Sequence, residues 1–174
     1  MPEGDQERRS VIADSRSRNP VYLIGPSSVG KSYLAGAVAL ELDVESRDSD
    51  HELKEPGLRD WSKVRAWLDA LDGLAVIVDI GAGTQGSCGP ELTVYLGGRR
   101  DRVILVIDDP HAAFGRNVRE GHRTESEWEN YRELEIERRG ELYSVASVVI
   151  DFRAINRRLA PTALASVARR LIGV

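Results

Sequence analysis

The sequence predicts a three-layer α/β fold built on a mostly parallel sheet, and three observations predict it. Short apolar runs alternate along the chain with helical patterns, the order expected when strands are joined by crossover helices. The runs are continuously apolar rather than alternating, as in strands buried on both faces. The first three close on glycine-rich or acidic turns, at the strand ends where open α/β sheets hold their ligands.

Residues 1–19 are dominated by Glu, Asp, Arg and Ser, with Val11 and Ile12 as one apolar pair; they read as a mobile arm outside the site. Val21–Ile24, between Pro20 and Gly25, has the composition of a central parallel strand. The stretch 32–42 (SYLAGAVALEL) is rich in Ala and Leu with only Gly36 as a breaker, which predicts a helix directly after that strand. Strands follow at 74–80 (LAVIVDI), closing on Gly81-Ala82-Gly83, and at 102–107 (RVILVI), closing on Asp108-Asp109-Pro110. Helical patterns occupy 61–71, roughly 91–96, 125–139 and 162–172, and a last strand is predicted at 147–151 (SVVID).

A chain of 174 residues, 41% apolar and 30% charged, suits one domain over 20–174 with a single substantial core. The net charge of -4 argues against a broad nucleic-acid footprint and favours a small anionic ligand. A single cysteine, Cys88, permits neither a disulfide framework nor a thiolate metal cage and points to a reducing cytoplasm. The polar N-terminus lacks the apolar core of a signal peptide, and no window approaches the roughly 18 apolar residues of a membrane span. The expected partner is therefore a small molecule, with no nucleic acid and no membrane, for a monomer or small homo-oligomer.

Between the first strand and the first helix stands GPSSVGKS, residues 25–32. The pattern G-x-x-x-x-G-K-[ST] places glycine where the backbone must turn tightly, so that successive N–H groups converge on phosphate oxygens. Gly25, Ser27, Ser28, Val29, Gly30, Lys31, Ser32 and Tyr33 are the expected nucleotide contacts. Lys31 supplies a point charge to the β and γ oxygens, and the Ser32 hydroxyl is a Mg²⁺ ligand. The first turn of the helix adds its partial positive charge. A chance glycine turn lacks these flanks. Binding alone leaves two reaction classes open: phosphoryl transfer to a second substrate, or hydrolysis by a switch.

Past the first helix comes Asp48-Ser49-Asp50, then Ile80-Gly81-Ala82-Gly83, and near the C-terminus Arg139-Gly140-Glu141-Leu142-Tyr143 with Ala146 and 148–151. With the phosphate loop, these segments resemble the shikimate kinase family over most of 20–172. The resemblance implies a nucleoside-monophosphate-kinase architecture with a five-stranded parallel sheet, ATP and Mg²⁺ as cofactors, and transfer of the γ-phosphoryl to a hydroxyl of shikimate or a related polyol. Carried across residue by residue, it implies that Asp48 holds the Mg²⁺ shell through water and that Asp50 binds substrate hydroxyls and serves as base. Gly81, Ala82 and Gly83 look like the family's triple-glycine turn; Ala82 is a modest departure at negative φ and a serious one at positive φ. Asp79 resembles a Walker B acid and is a second candidate Mg²⁺ contact, against the reading of a turn-forming Asp at a strand end. Arg139 looks like the arginine that pairs with the substrate carboxylate, against a helix C-terminal Arg favoured by the dipole.

A lid at about 115–126 is expected to bring an arginine to the transferring phosphoryl. The family's separation from Arg139 indicates Arg119, with Arg116 and Arg123 close by and Arg116 assigned to the nucleotide. Such a lid excludes water and neutralises developing charge. The departures lie in the acceptor half. If Trp61 stands where the family has Phe, Ser62 stands where it has Arg; Arg65 is the assigned substitute, with Arg59 the other candidate. The loop 151–161 (DFRAINRRLAP) is long, and Arg157, Arg158 and Pro161 are candidates to cover the base. Trp61 and Trp67 read as packing on an amphipathic helix, or as walls of the acceptor pocket. The rival readings are a nucleotide-binding regulatory ATPase and a degenerate kinase without turnover.

Overall fold

The computed structural model describes residues 18–174 apart from Pro56 and Arg138. The expected N-terminal arm lies outside the described residues except for its last two positions, of which Asn19 donates its N–H to Ile172 O.

Five parallel strands, β1 (Val21–Ile24), β2 (Glu45–Asp48), β3 (Val76–Asp79), β4 (Val103–Ile107) and β5 (Val148–Asp151), form one sheet in the order β2-β3-β1-β4-β5. β1 is central and wholly buried, which accounts for its unbroken apolar run. Its side chains alternate between the two faces. Val21 and Leu23 pack with α1 (Lys31–Leu42), α5 (Pro110–Arg119) and α8 (Ala160–Ile172), while Tyr22 and Ile24 pack with α3 (Trp61–Asp69) and α4 (Ala82–Gly97). The expected three layers and five strands are present. Leu23 stands opposite both Asp79 and Ile104, so the phosphate loop emerges beside the carboxyl end of β3.

Three elements differ from expectation. β2 reads Glu-Ser-Arg-Asp and is half to fully exposed; as an edge strand it is held by its ladder to β3 rather than by an apolar face, so composition does not mark it. α4 spans Ala82–Gly97 rather than roughly 91–96, and its glycines and Pro90 hide its first half from a propensity reading. It breaks at Cys88 (φ -130°, ψ 26°), just before Pro90, which has no N–H to donate and would collide with the Gly86 carbonyl in a regular helix. The stretch 125–139 is not one α-helix. It is a 3-10 turn at Glu125–Glu127, a short α6 (Trp128–Tyr131) and a π-helical segment, Arg132–Glu137, a form that often marks a functional position. α2 (Ser49–Glu52) and α7 (Gly140–Tyr143) complete the order.

Candidate active site

A cavity of about 1230 Å³ opens at the carboxyl ends of β1, β2 and β3, with α5 and the π-helical segment as its roof. It exceeds the roughly 300–1,000 Å³ of a single small-ligand site, and so has room for two substrates.

The phosphate loop forms its floor. Gly25 has φ 142°, and a Cβ there would lie 2.1 Å from Val106 O, so only glycine allows the loop to leave β1 against β4. Lys31 is nearly buried and folds back, its Nζ donating to Gly25 O (3.0 Å) and Pro26 O (2.8 Å). Val29 is part of the core and offers only its backbone to a ligand. Ser27, Ser28, Gly30, Ser32 and the half-exposed Tyr33 face the cavity.

Ser32 Oγ donates to Asp79 Oδ2 at 2.6 Å. Asp79 is 2% exposed, and its Oδ1 is buried with no partner. Burial pushes its carboxyl above the usual range, against the pull of Lys31 and the Ser32 hydrogen bond, with Asp48 and Asp50 adding to the rise. Asp48 reaches the cavity while its Oδ1 accepts from the Asp50 and His51 N–H groups at the start of α2.

Asp50 is held across the entrance to α4. Its carboxylate accepts from Gly83 N (2.9 Å), Thr84 N (3.0 Å) and Thr84 Oγ1 (3.1 Å), and Arg59 approaches at 3.6 Å. A Cβ on Gly81 would fall 2.2 Å from Asp50 Cγ, so glycine there makes room for the carboxylate. Ala82 sits in the first helical turn of α4 and is not among the positive-φ residues; the departure from three glycines is unstrained.

Several expected contacts lie elsewhere. Arg65 is on the exposed side of α3 in an i,i+4 pair with Asp69 (3.5 Å) and does not line the cavity; Arg59, in the loop before α3, does, with its Nε buried and unpartnered. Arg119 is exposed and lines a separate small pocket with His111 and Phe114. The helical period explains this: Arg116 and Glu120, four apart, face the cavity, whereas Arg119 falls on the other flank of α5. Pro161 stands in the first turn of α8 outside the cavity lining, and Arg157 instead reaches it, stacked 4.5 Å over the Phe152 ring. Trp61 packs edge-on against Tyr95, and Trp67 donates to Glu52; neither lines the cavity.

The segment expected to form a lid is docked on the phosphate loop. Arg116 Nε donates to Ser28 O (2.7 Å), Asn117 Nδ2 to Ser27 Oγ (3.1 Å) and Ser28 Oγ to Glu120 (2.9 Å). Arg116 and Arg157 both pair with Asp108. Burial would raise that carboxyl, but the hydrogen bonds from Arg116, the Asp109 backbone and Arg157 hold it below the usual range.

Two residues of the site carry no local sequence signal. Gln85, buried in α4, clasps the loop start, donating to Gly25 O (3.0 Å) and Ile80 O (2.5 Å) and accepting from Gly25 N (3.4 Å). Glu135 reads as one acid among many in a charged helix, yet it is 3% exposed and accepts from Ser27 N (3.2 Å), Arg123 (3.3 Å) and Arg139 (2.6 Å). It shares its buried face with Tyr131 and Arg139, four residues to either side.

No family model and no curated protein matches the chain. Solved structures do. A shikimate kinase from Bacteroides thetaiotaomicron superposes with a TM-score of 0.65 at 18% identity, over 90% of this chain and 99% of that one. The fold is that of the shikimate kinases. A shikimate kinase from Acinetobacter baumannii in complex with shikimate gives 0.60 at 22% identity over 92% and 96% of the two chains. A gluconokinase from Sinorhizobium meliloti 1021 gives 0.54 at 18% over 91% and 95%. The shikimate-kinase fold thus covers this chain nearly from end to end. Among the described residues no helix is long and apolar enough to cross a membrane.

Proposed function

We propose that this chain is an ATP-dependent phosphotransferase that moves the γ-phosphoryl to a hydroxyl of a small molecule. The observation that carries the reading is the shared cavity: Lys31 and Ser32 of the phosphate loop open into the same space as Asp50. A hydrolytic switch has no need of a second carboxylate fixed by three donors beside its phosphate site.

Phosphoryl transfer asks mainly for positioning and charge compensation. Lys31, released from the Gly25 and Pro26 carbonyls, would meet the β and γ oxygens. The α4 N–H groups that hold Asp50 fix its carboxylate so that it accepts the acceptor's hydroxyl proton as the acceptor oxygen bonds to the γ-phosphorus and the bond to ADP breaks. Arg116 or Arg123, both facing the cavity, would neutralise charge gathering on the equatorial oxygens.

The donor set fits Mg²⁺. Among the described residues there is no cluster of three or more His, Cys, Asp or Glu that could hold a metal, but Mg²⁺ bound with phosphate keeps several waters and takes one or two carboxylates. The orphaned Asp79 Oδ1 beside the Ser32 hydroxyl, with Asp48 facing the same cavity, is such a set. When bound there, the ion would supply charge stabilisation to the β and γ oxygens.

Coupled ADP release against a panel of cyclitols, sugars and sugar acids tests the reading. The expected result is acceptor-dependent turnover that falls by about 10²-fold or more in both Lys31→Ala and Asp50→Ala. ADP release that no acceptor stimulates would sink it.

A further inference from the structure

We infer that the acceptor of this site is an uncharged hydroxyl compound rather than an acid, because a carboxylate of the chain itself, Glu135, already occupies the arginine that an acidic acceptor would need. This rests on the kinase reading and names its substrate class.

Two arginines face the acceptor end of the cavity, Arg59 and Arg139. A guanidinium recognises a carboxylate best when its planar fork gives two parallel N–H groups. Two of the five Arg139 N–H donors are already taken: one nitrogen donates to Glu135 Oε2 at 2.6 Å and another to Ala82 O at 2.9 Å. This pair is nearly dry, with its side chains 10% and 5% exposed. Removing one partner of such a pair leaves a buried charge uncompensated.

Glu135 is also secured on its other sides. Oε2 takes the Ser27 N–H of the phosphate loop and Oε1 takes Arg123. An acidic acceptor would have to displace Glu135 from Arg139, or bring a second carboxylate against it, where like charges repel strongly in a water-poor site. Arg59 offers no substitute, since Asp50 lies 3.6 Å from its NH2. With Glu141 also facing the cavity, the carboxylates Asp50, Glu135 and Glu141 are matched by Arg59, Arg123 and Arg139, and no guanidinium is left over for an acid. A neutral polyol meets none of these penalties. Asp50 accepts from its hydroxyl.

Matched pairs that differ only in the carboxyl group test this: shikimate against its methyl ester, and gluconate against glucitol, each titrated calorimetrically in the presence of ADP and Mg²⁺. The wild-type protein is expected to bind the neutral member of a pair at least about tenfold more tightly than the acid. Glu135→Gln, which keeps shape and removes charge, is expected to shift the ratio of acid to neutral affinity by about tenfold or more toward the acid. A wild-type preference for the acid overturns the inference. So does acid binding that is unchanged in Glu135→Gln, including none in either protein. The wild-type comparison stands without the variant, should Glu135→Gln not fold. Absence of ADP release with either member counts instead against the kinase reading, because the charge inference is read from binding and not from turnover.

Discussion

Asp79 shows how one residue trades stability for a ligand. Its carboxyl is pushed up by burial and its Oδ1 has no partner, so the folded state favours the protonated form more than the unfolded chain does. A carboxyl raised in this way stabilises the fold least once pH exceeds its folded value, since the unfolded chain has by then shed the proton at no such cost. Asp79→Asn should therefore melt higher than wild type at neutral pH, with the difference shrinking as pH falls through the carboxylate range. The same substitution should weaken Mg²⁺-dependent ADP binding by about 10- to 100-fold. A variant that melts lower at neutral pH would show the carboxylate to be a structural turn former. Gln85 is the opposite case. Gln85→Ala leaves the Ile80 carbonyl and the Gly25 N–H without their partner in the interior and should cost about 2–4 kcal/mol in urea unfolding.

At the scale of elements, α5 is the clearest test. Arg116 and Glu120 face the cavity, and Arg119 lies on the flank with His111 and Phe114. Arg116→Ala or Arg123→Ala should lower kcat by about 10²-fold, whereas Arg119→Ala should leave turnover within about twofold, as exposed substitutions away from a site do. Equal losses in all three would mean that the lid reorients on closure. α4 offers a second test through its entrance: Gly81→Ala drives a methyl into Asp50 and should lower turnover by displacing that carboxylate, with a stability cost of about 1–3 kcal/mol.

At the scale of the molecule, the cavity joins the carboxyl ends of three strands to a roof from the second half of the chain, so a ligand that bridges them ties the halves together. ADP with Mg²⁺ at about 100 times its Kd should add about 2.7 kcal/mol to stability, read as a rise in Tm that Lys31→Ala abolishes. β1, α1 and the loop between them were legible in the sequence, because an apolar run buried on both faces and a glycine-lysine-serine spacing are local and demanding patterns. Asp48 and Asp50 were singled out through the resemblance of Asp48-Ser49-Asp50 to the shikimate kinase motif and not through any strand pattern. β2 was not, since an edge strand of Glu, Ser, Arg and Asp is held by a neighbour distant in sequence.

The sequence by itself determined the layered fold and the phosphate half of the cavity, because each depends on residues within a few positions of one another. Tertiary structure alone decided the acceptor half. Which arginine faces inward depends on the rotational phase of α3 and α5, set by packing rather than by residue type. Glu135 meets Ser27, 108 residues away, a contact that no local pattern specifies. A charge that reads as solvated becomes one of the most buried among the described residues, and it sets a carboxylate against Arg139 in the cavity.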